Sequence, residues 1–116
     1  MKFGHIEIFV KDPLKIKEFY EKILGFEIVA VQQEKFVWMK LGENEILLRP
    51  GKNNLKAKEY EDSNTGFVLY TSDLVKTKNE LAGRGLEFRG TDGSENCLTF
   101  TDPEGNWFQL VNPEHS

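Results

Sequence analysis

The chain repeats itself. His5, Asp12, Gly25 and Leu47 have counterparts at Gly66, Asp73, Gly85 and Gln109, at offsets of 61, 61, 60 and 62 residues. So steady an offset restricts the fold to two copies of one supersecondary unit in tandem, because an insertion or an unrelated second half would break it. The order of elements in one half must therefore be readable in the other.

In the first half, Ile6, Ile8 and Val10 alternate with His5, Glu7 and Phe9, the period of two of a β-strand. Asp12-Pro13 follows. The Asp carboxylate can accept from free backbone N–H groups at a helix start, and Pro suits the first helical position. Ile16, Phe19, Tyr20, Ile23 and Leu24 then recur at helical spacing up to Gly25. Strands are predicted over 26–32, 36–41 and 45–49, separated by turns at Gln33-Glu34 and Gly42-Glu43-Asn44. The second half restarts with a strand over 66–71 and a helix capped by Ser72-Asp73 and closed by Gly83 and Gly85. Strands over 86–89, 97–101 and 107–111 complete it, with a tight turn at Asp102-Pro103-Glu104-Gly105. The spacing predicts an α+β fold of two tandem βαβββ modules, forming a curved mixed sheet with helices on the outer face and a concave cup inside. Residues 1–116 are read as one domain, with module one over 1–50, a linker over 51–65 and module two over 66–116. The polar Lys52–Asp62 run is expected to be a solvated loop, or to fold over the cup as a lid. The tail at His115 is expected to fray.

Composition narrows the function classes. The net charge is −4 and lysines are scattered, so no basic patch for nucleic acid is expected. Cys97 is the single cysteine, which leaves no intrachain disulfide and no cysteine-based zinc cluster, and predicts a small apolar filler. No apolar run approaches the roughly 20 residues of a membrane span, and the N-terminus lacks a signal-peptide stretch. A cytoplasmic location, with no membrane partner, is the expectation.

Two stretches carry a family resemblance. Gly4-His5-Ile6-Glu7-Ile8-Phe9-Val10-Lys11-Asp12, followed by Phe19-Tyr20-Glu21-Lys22-Ile23-Leu24-Gly25-Phe26, resembles the opening of vicinal oxygen chelate proteins. Those are the glyoxalase I, bleomycin-resistance and extradiol dioxygenase proteins. Phe100-Thr101-Asp102-Pro103-Glu104-Gly105-Asn106-Trp107-Phe108-Gln109-Leu110 resembles their closing motif. The resemblance implies one metal ligand at equivalent positions of the first and last strand of each module. His5 matches the first of these; Leu47, Gly66 and Gln109 stand where Glu, His and Glu are usual. A divalent ion needs about three or four N, O or S donors from protein. Leu47 and Gly66 offer none and Gln109 only a neutral amide, so no metal ligand and no cofactor are expected. A displaced site using His5, Glu7 and Glu45 is the alternative. The resemblance further implies a homodimer, since modules in this family pair within one chain or across two.

Strand parity selects the side chains that face the predicted cup. With Ile6, Ile8 and Val10 under the helix, His5, Glu7 and Phe9 face it; so do Glu45, Leu47 and Arg49, and Phe36, Trp38 and Lys40. In module two the same rule selects Gly66, Val68 and Tyr70, and Trp107, Gln109 and Val111. The candidate ligand-contacting set is His5, Glu7, Trp38, Leu47, Arg49, Tyr70, Trp107 and Gln109, with no residue assigned to catalysis. Aromatic rings suit a flat ligand, and Arg49 can fork onto a carboxylate or phosphate. Equally, the aromatics can fill the cup or a dimer interface, His5 can be satisfied by Gln109 or Glu7, and Arg49 by Glu45 or Glu7. The leading expectation is a metal-free protein that sequesters or carries a small, partly aromatic molecule. Its rivals are a glyoxalase- or dioxygenase-type enzyme with the displaced metal, a metal-free enzyme using His5 or Glu7 as base, and an interaction module.

Overall fold

The computed structural model describes residues 1–52 and 56–114. Part of the expected linker and the tail at His115 fall outside those residues. The chain divides into two compact units, Met1–Asn54 and Leu55–Ser116. Unit one runs β1 (Ile6–Val10), α1 (Pro13–Glu18), β2 (Glu27–Gln32), β3 (Phe36–Leu41) and β4 (Asn44–Pro50). Unit two runs β5 (Phe67–Tyr70), α2 (Leu74–Gly83), β6 (Cys97–Thr101) and β7 (Trp107–Val111), preceded by a short 3-10 turn at Tyr60–Asp62.

The repeat reappears as repeated physics. Asp12 (φ −136°, ψ 89°) accepts from the Lys15 N–H at 3.1 Å, and Asp73 (φ −144°, ψ 93°) accepts from the Lys76 N–H at 3.1 Å. Both carboxylates thus occupy one of the orphan donors of a helix start. Gly25 (φ 81°) and Gly85 (φ 107°) both take the left-handed conformation after their helices. In each unit the first strand lies parallel to the last, β1 to β4 and β5 to β7, as βα crossovers require.

Unit one has the strand order β1-β4-β3-β2. Ile8, Val10, Val37, Met39, Ile46 and Leu48 are buried, and α1 packs against β3 and β4. The helix does not run regularly to Leu24 as its periodicity predicts. Phe19–Ile23 forms a π-helical turn in which the Leu24 N–H reaches the Phe19 carbonyl at 3.2 Å. The wider turn accommodates Tyr20, which is wholly buried with its ring edge-on to both Phe19 and Phe26 at 5.5 Å.

β2 carries a bulge between Ile28 and Ala30. Ile28 pairs with Met39 and Ala30 with Trp38, so one extra residue switches the alternation of faces. Gln32, opposite Phe36, therefore shares a face with Trp38 rather than with Met39.

Unit two has the strand order β5-β7-β6, and its core is aromatic: Phe100 stacks on Phe108 at 5.3 Å, and Phe88 and Phe67 flank the pair. The strand predicted over 86–89 is absent. Pairing with β6 begins only at Arg89, through bonds of Arg89 and Gly90 with Thr99, a bridge of Thr91 to Leu98 and the Asp92 N–H on the Cys97 carbonyl, and the left-handed Gly90 (φ 117°) interrupts a regular ladder. Module two is thus β-α-β-β with an irregular fourth segment. The Asp102 turn is structural, as its spacing predicts. The buried carboxylate accepts from the backbone of Glu104 and Asn106, both at 2.9 Å, and from the Asn106 amide at 2.8 Å.

The β2–β3 hairpin is closed by Gln33 (φ 53°) and Glu34 (φ 56°), both left-handed without being glycine. With Gln32 paired to Phe36 the loop has three residues, and its turn is closed by the Lys35 N–H on the Gln32 carbonyl at 3.1 Å; the two left-handed residues adopt that conformation at a cost of about 1 kcal/mol each. Replacing Gln33-Glu34 by Asn-Gly is expected to stabilise the protein by about 1 kcal/mol, read as a higher urea midpoint with unchanged slope.

Candidate functional site

Register brings the unit-one candidates onto one face. Glu7 pairs with Leu47, Phe9 with Arg49, and Trp38 with Leu47 from the other side. Leu47 is therefore the floor, only 4% exposed, flanked by Glu7 on β1 and Trp38 on β3.

Glu7 organises this face. One carboxylate oxygen contacts His5 Nε2 at 2.9 Å, and the other accepts from Arg49 Nη1 at 3.0 Å. These two hydrogen bonds, that to His5 first, hold the Glu7 carboxyl below the usual glutamate range, with the charges of Arg49 and His5 adding to them and partial desolvation opposing. The Arg49 guanidinium lies between two rings, 5.4 Å from the centroids of both Phe9 and Phe36. Its Nε is buried without a hydrogen-bond partner. His5 meets Trp38 edge-on at 4.8 Å, and the Trp38 indole N–H donates to Gln32 Oε1 at 3.0 Å. The result is a continuous run of contacts, Gln32–Trp38–His5–Glu7–Arg49, with Phe9 and Phe36 clamping its end. His5 and Glu7 remain about one-third exposed, at 31% and 32%, so the face is ordered yet reachable.

The unit-two candidates stand differently. Trp107 is 2% exposed, and its indole N–H donates to the Ala57 carbonyl at 2.8 Å. Tyr60 lies edge-on to Trp107 at 6.1 Å. Gln109 is buried and donates its amide N–H to Asp92. Tyr70, at the far end of β5 opposite Val111, is 74% exposed. Gly66 has no side chain, and the place where one would begin is taken: a Cβ built there would lie 2.4 Å from the Tyr60 hydroxyl oxygen. Burial, then the negative charges of Asp92 and Cys97, raises the Tyr60 phenol above its ordinary range. Cys97 is buried and its thiol is likewise raised, by burial first and Asp92 second, as befits a packing residue.

Tyr60 and Asp92 are the residues that sequence patterning passes over. Neither lies on a strand, so no parity marks them. The one available signal for Tyr60 is that it is a lone aromatic ring in the otherwise polar run Lys56–Asn64.

The family model described as Glyoxalase/Bleomycin resistance protein/Dioxygenase superfamily matches residues 2–110. The chain belongs to that superfamily. Among curated relatives, the uncharacterized protein YetH of Bacillus subtilis is 25% identical, covering 94% of this chain and 96% of its own. Among solved structures, a lactoylglutathione lyase from Agrobacterium tumefaciens has a TM-score of 0.70 at 18% identity, over 98% of this chain and 96% of that one. An antibiotic binding protein from Streptomyces sp. CB03234 has a TM-score of 0.70 at 22% identity, over 97% and 98%. A lyase and a binding protein are thus equally close in fold, and the fold cannot choose between them.

The superfamily's metal chemistry can be tested against the donors present. Leu47 and Gly66 provide none, and Gln109 offers only a neutral amide oxygen. Both oxygens of Glu7 are engaged by His5 and Arg49. Among the described residues no group of three or more His, Cys, Asp or Glu side chains is gathered to hold an ion, so the displaced set of His5, Glu7 and Glu45 is not assembled either. The residues do not fit a divalent metal. No helix among the described residues is long and apolar enough to cross a membrane.

The depressed Glu7 carboxyl gives a signed pH dependence. Its contribution to stability is present above the unfolded value near 4.5 and is lost as pH falls through the lower folded value. The difference in urea midpoint between wild type and Glu7→Gln should therefore be present at neutral pH and close progressively below 4.5. The difference should be small, since the group is open to solvent.

Proposed function

We propose that this protein is a metal-free small-molecule-binding member of the superfamily, which sequesters or carries a small, partly aromatic ligand on the unit-one face. His5, Glu7, Trp38 and Arg49 are its contacts and Leu47 its floor. The observation that carries the reading is the clamped, half-satisfied Arg49. Glu7 accepts from Nη1, Phe9 and Phe36 fix its plane, and Nε has no partner. A guanidinium has five N–H donors in a rigid fork; Nε is buried, and the Nη groups of the partly exposed side chain are the donors left for an acceptor on the ligand. Glu7 offsets the positive charge of Arg49, so a neutral carbonyl or amide suits the site as well as a carboxylate does. The neighbouring Trp38 and Phe36 rings supply the flat apolar contact. The network is already built, so binding loses little side-chain freedom.

Screening the metal-stripped protein against aromatic and glycopeptide-like compounds by thermal shift, then calorimetry, is expected to find a saturable ligand. Arg49→Gln and Trp38→Leu should each weaken it about tenfold or more, a loss of at least ~1.4 kcal/mol. Binding that appears only after stoichiometric uptake of nickel, zinc, iron or manganese would overturn the reading.

In this proposal the protein works in the cytoplasm as a homodimer, with neither nucleic acid nor membrane as partner. Sedimentation velocity at micromolar concentration should give a particle of twice the chain mass, and a monomer at every concentration would remove the dimer from the proposal.

A further inference from the structure

Unit two presents an occupied face. The segment from Lys56 to Asp62 lies over it and is held at three points. Trp107 donates its indole N–H to the Ala57 carbonyl at 2.8 Å. Tyr60 sets its ring edge-on to Trp107 at 6.1 Å. The Lys56 stem lies where a Cβ on Gly105 would fall, with its Cδ 3.1 Å from that position. A 3-10 turn at Tyr60–Asp62, closed by the Ser63 N–H on the Tyr60 carbonyl at 3.2 Å, aims the ring inward.

Three features set this contact apart from ordinary core packing. First, the ring occupies the space a side chain at Gly66 would need: a Cβ there would stand 2.4 Å from the hydroxyl oxygen and 2.8 Å from Cζ. Glycine at this position is thus what admits the ring. Second, Tyr60 is only half-buried, and no hydrogen bond to its hydroxyl is found among the described residues. Partial desolvation, then the Asp92 carboxylate and the Cys97 thiol beside it, raises the hydroxyl's pKa. Third, the surface beneath is built like a ring-binding site. It has an indole edge from Trp107, acceptor and donor groups at Asp92 and Gln109, and no Cβ at Gly66.

We propose that the Lys56–Asp62 strap is a removable cover, and that Tyr60 is a built-in occupant of a ring-sized subsite on the unit-two face. A ligand bearing a free phenol or a similar six-membered aromatic ring takes the subsite by displacing it. Displacement is feasible because an incoming phenol that reaches Asp92 gains a hydrogen bond that Tyr60 does not make. The strap then acts as a tethered competitor, and the apparent affinity of any external ring is lowered by the fraction of time the subsite is covered. The inference does not rest on the unit-one face and stands or falls apart from it.

The probe is p-cresol, the tyrosine side chain as a free molecule. Tyr60→Ala removes the competitor and should bind p-cresol about tenfold or more tightly than wild type. Tyr60→Phe keeps the ring and should resemble wild type. Gly66→Ala leaves Tyr60 in the sequence but pushes its hydroxyl away, and should expose the Trp107 indole N–H to hydrogen exchange. The two indole N–H resonances and the amides of residues 56–62 are followed by NMR. Saturating wild type with p-cresol should shift the Trp107 indole and the strap amides toward their positions in Tyr60→Ala with p-cresol. Equal affinity of wild type and Tyr60→Ala, no binding by Tyr60→Ala, or saturation of wild type without movement of the strap amides would overturn the proposal. Should Tyr60→Ala fail to fold, Gly66→Ala carries the same comparison. A Gly66→Ala protein with wild-type affinity and wild-type indole protection would then overturn it.

Discussion

One carboxylate sets the geometry of the unit-one face. Glu7 stands next to Leu47 in the parallel pairing of β1 with β4, which puts it within reach of His5 on its own strand and Arg49 on the next. Neither neighbour could hold its position alone. A histidine at the start of a strand has free rotamers, and an arginine at a strand end ordinarily extends into water. With its two oxygens divided between them, Glu7 fixes both, and the fixed imidazole and guanidinium in turn order the aromatic rings. His5 is set edge-on to Trp38, and Arg49 lies between Phe9 and Phe36. Exposed ion pairs contribute little to stability. The consequence of this one is positional, since it turns flexible side chains into a defined surface.

The second unit starts from the same plan and reaches a different end. Its helix cap, its left-handed glycine and its parallel first-to-last strand pairing all repeat those of the first. What changes is the occupancy of the strand positions. Where unit one has His5, unit two has Gly66, and the missing volume is filled by Tyr60 from outside the sheet. Where unit one has Leu47 as a floor, unit two has Gln109, whose buried amide takes its partner from the Asp92 loop. A buried amide without that partner would cost about 1–3 kcal/mol. The loop after α2 is therefore tied to the sheet by a side chain as well as by the short, interrupted pairing of residues 89–92 with β6.

These differences mark what a sequence discloses. The alternation of Ile6, Ile8 and Val10 with His5, Glu7 and Phe9 discloses two faces, because a strand has no freedom to place neighbours otherwise. The Asp12-Pro13 and Asp73 caps disclose helix starts for the same kind of reason: few residues can satisfy those donors. The Glu7–Arg49 pair follows from parity once β1 and β4 are neighbours. The Val29 bulge does not, since Glu27–Gln32 alternates no differently from an unbulged strand and only its pairing with β3 reveals the extra residue. The π-helical turn at Phe19–Ile23 is hidden because the fit of the Tyr20 ring against Phe19 and Phe26 is a matter of packing that helical spacing does not record. The predicted strand over 86–89 fails because its pairing with β6 starts only at Arg89 and Gly90 then takes a left-handed turn. Tyr60 is hidden most completely, for its place is set by an absence at Gly66.

The loss of coordinating donors can be set against what replaced them. A metal centre draws its strength from several ionic donors converging on one point, and losing any two of them removes most of it. The face that remains in unit one distributes its interactions instead. The Arg49 side chain stays partly exposed, imidazole and indole edges meet at His5 and Trp38, and an apolar floor lies at Leu47. Such a surface recognises shape and a hydrogen-bond acceptor rather than a pair of chelating oxygens. It also has nothing to stabilise charge that develops during a reaction beyond one arginine already offset by a carboxylate. Ground-state binding is what this arrangement supplies. A group that binds a ground state as well as a transition state accelerates nothing, and this is the physical argument behind the proposed binding role.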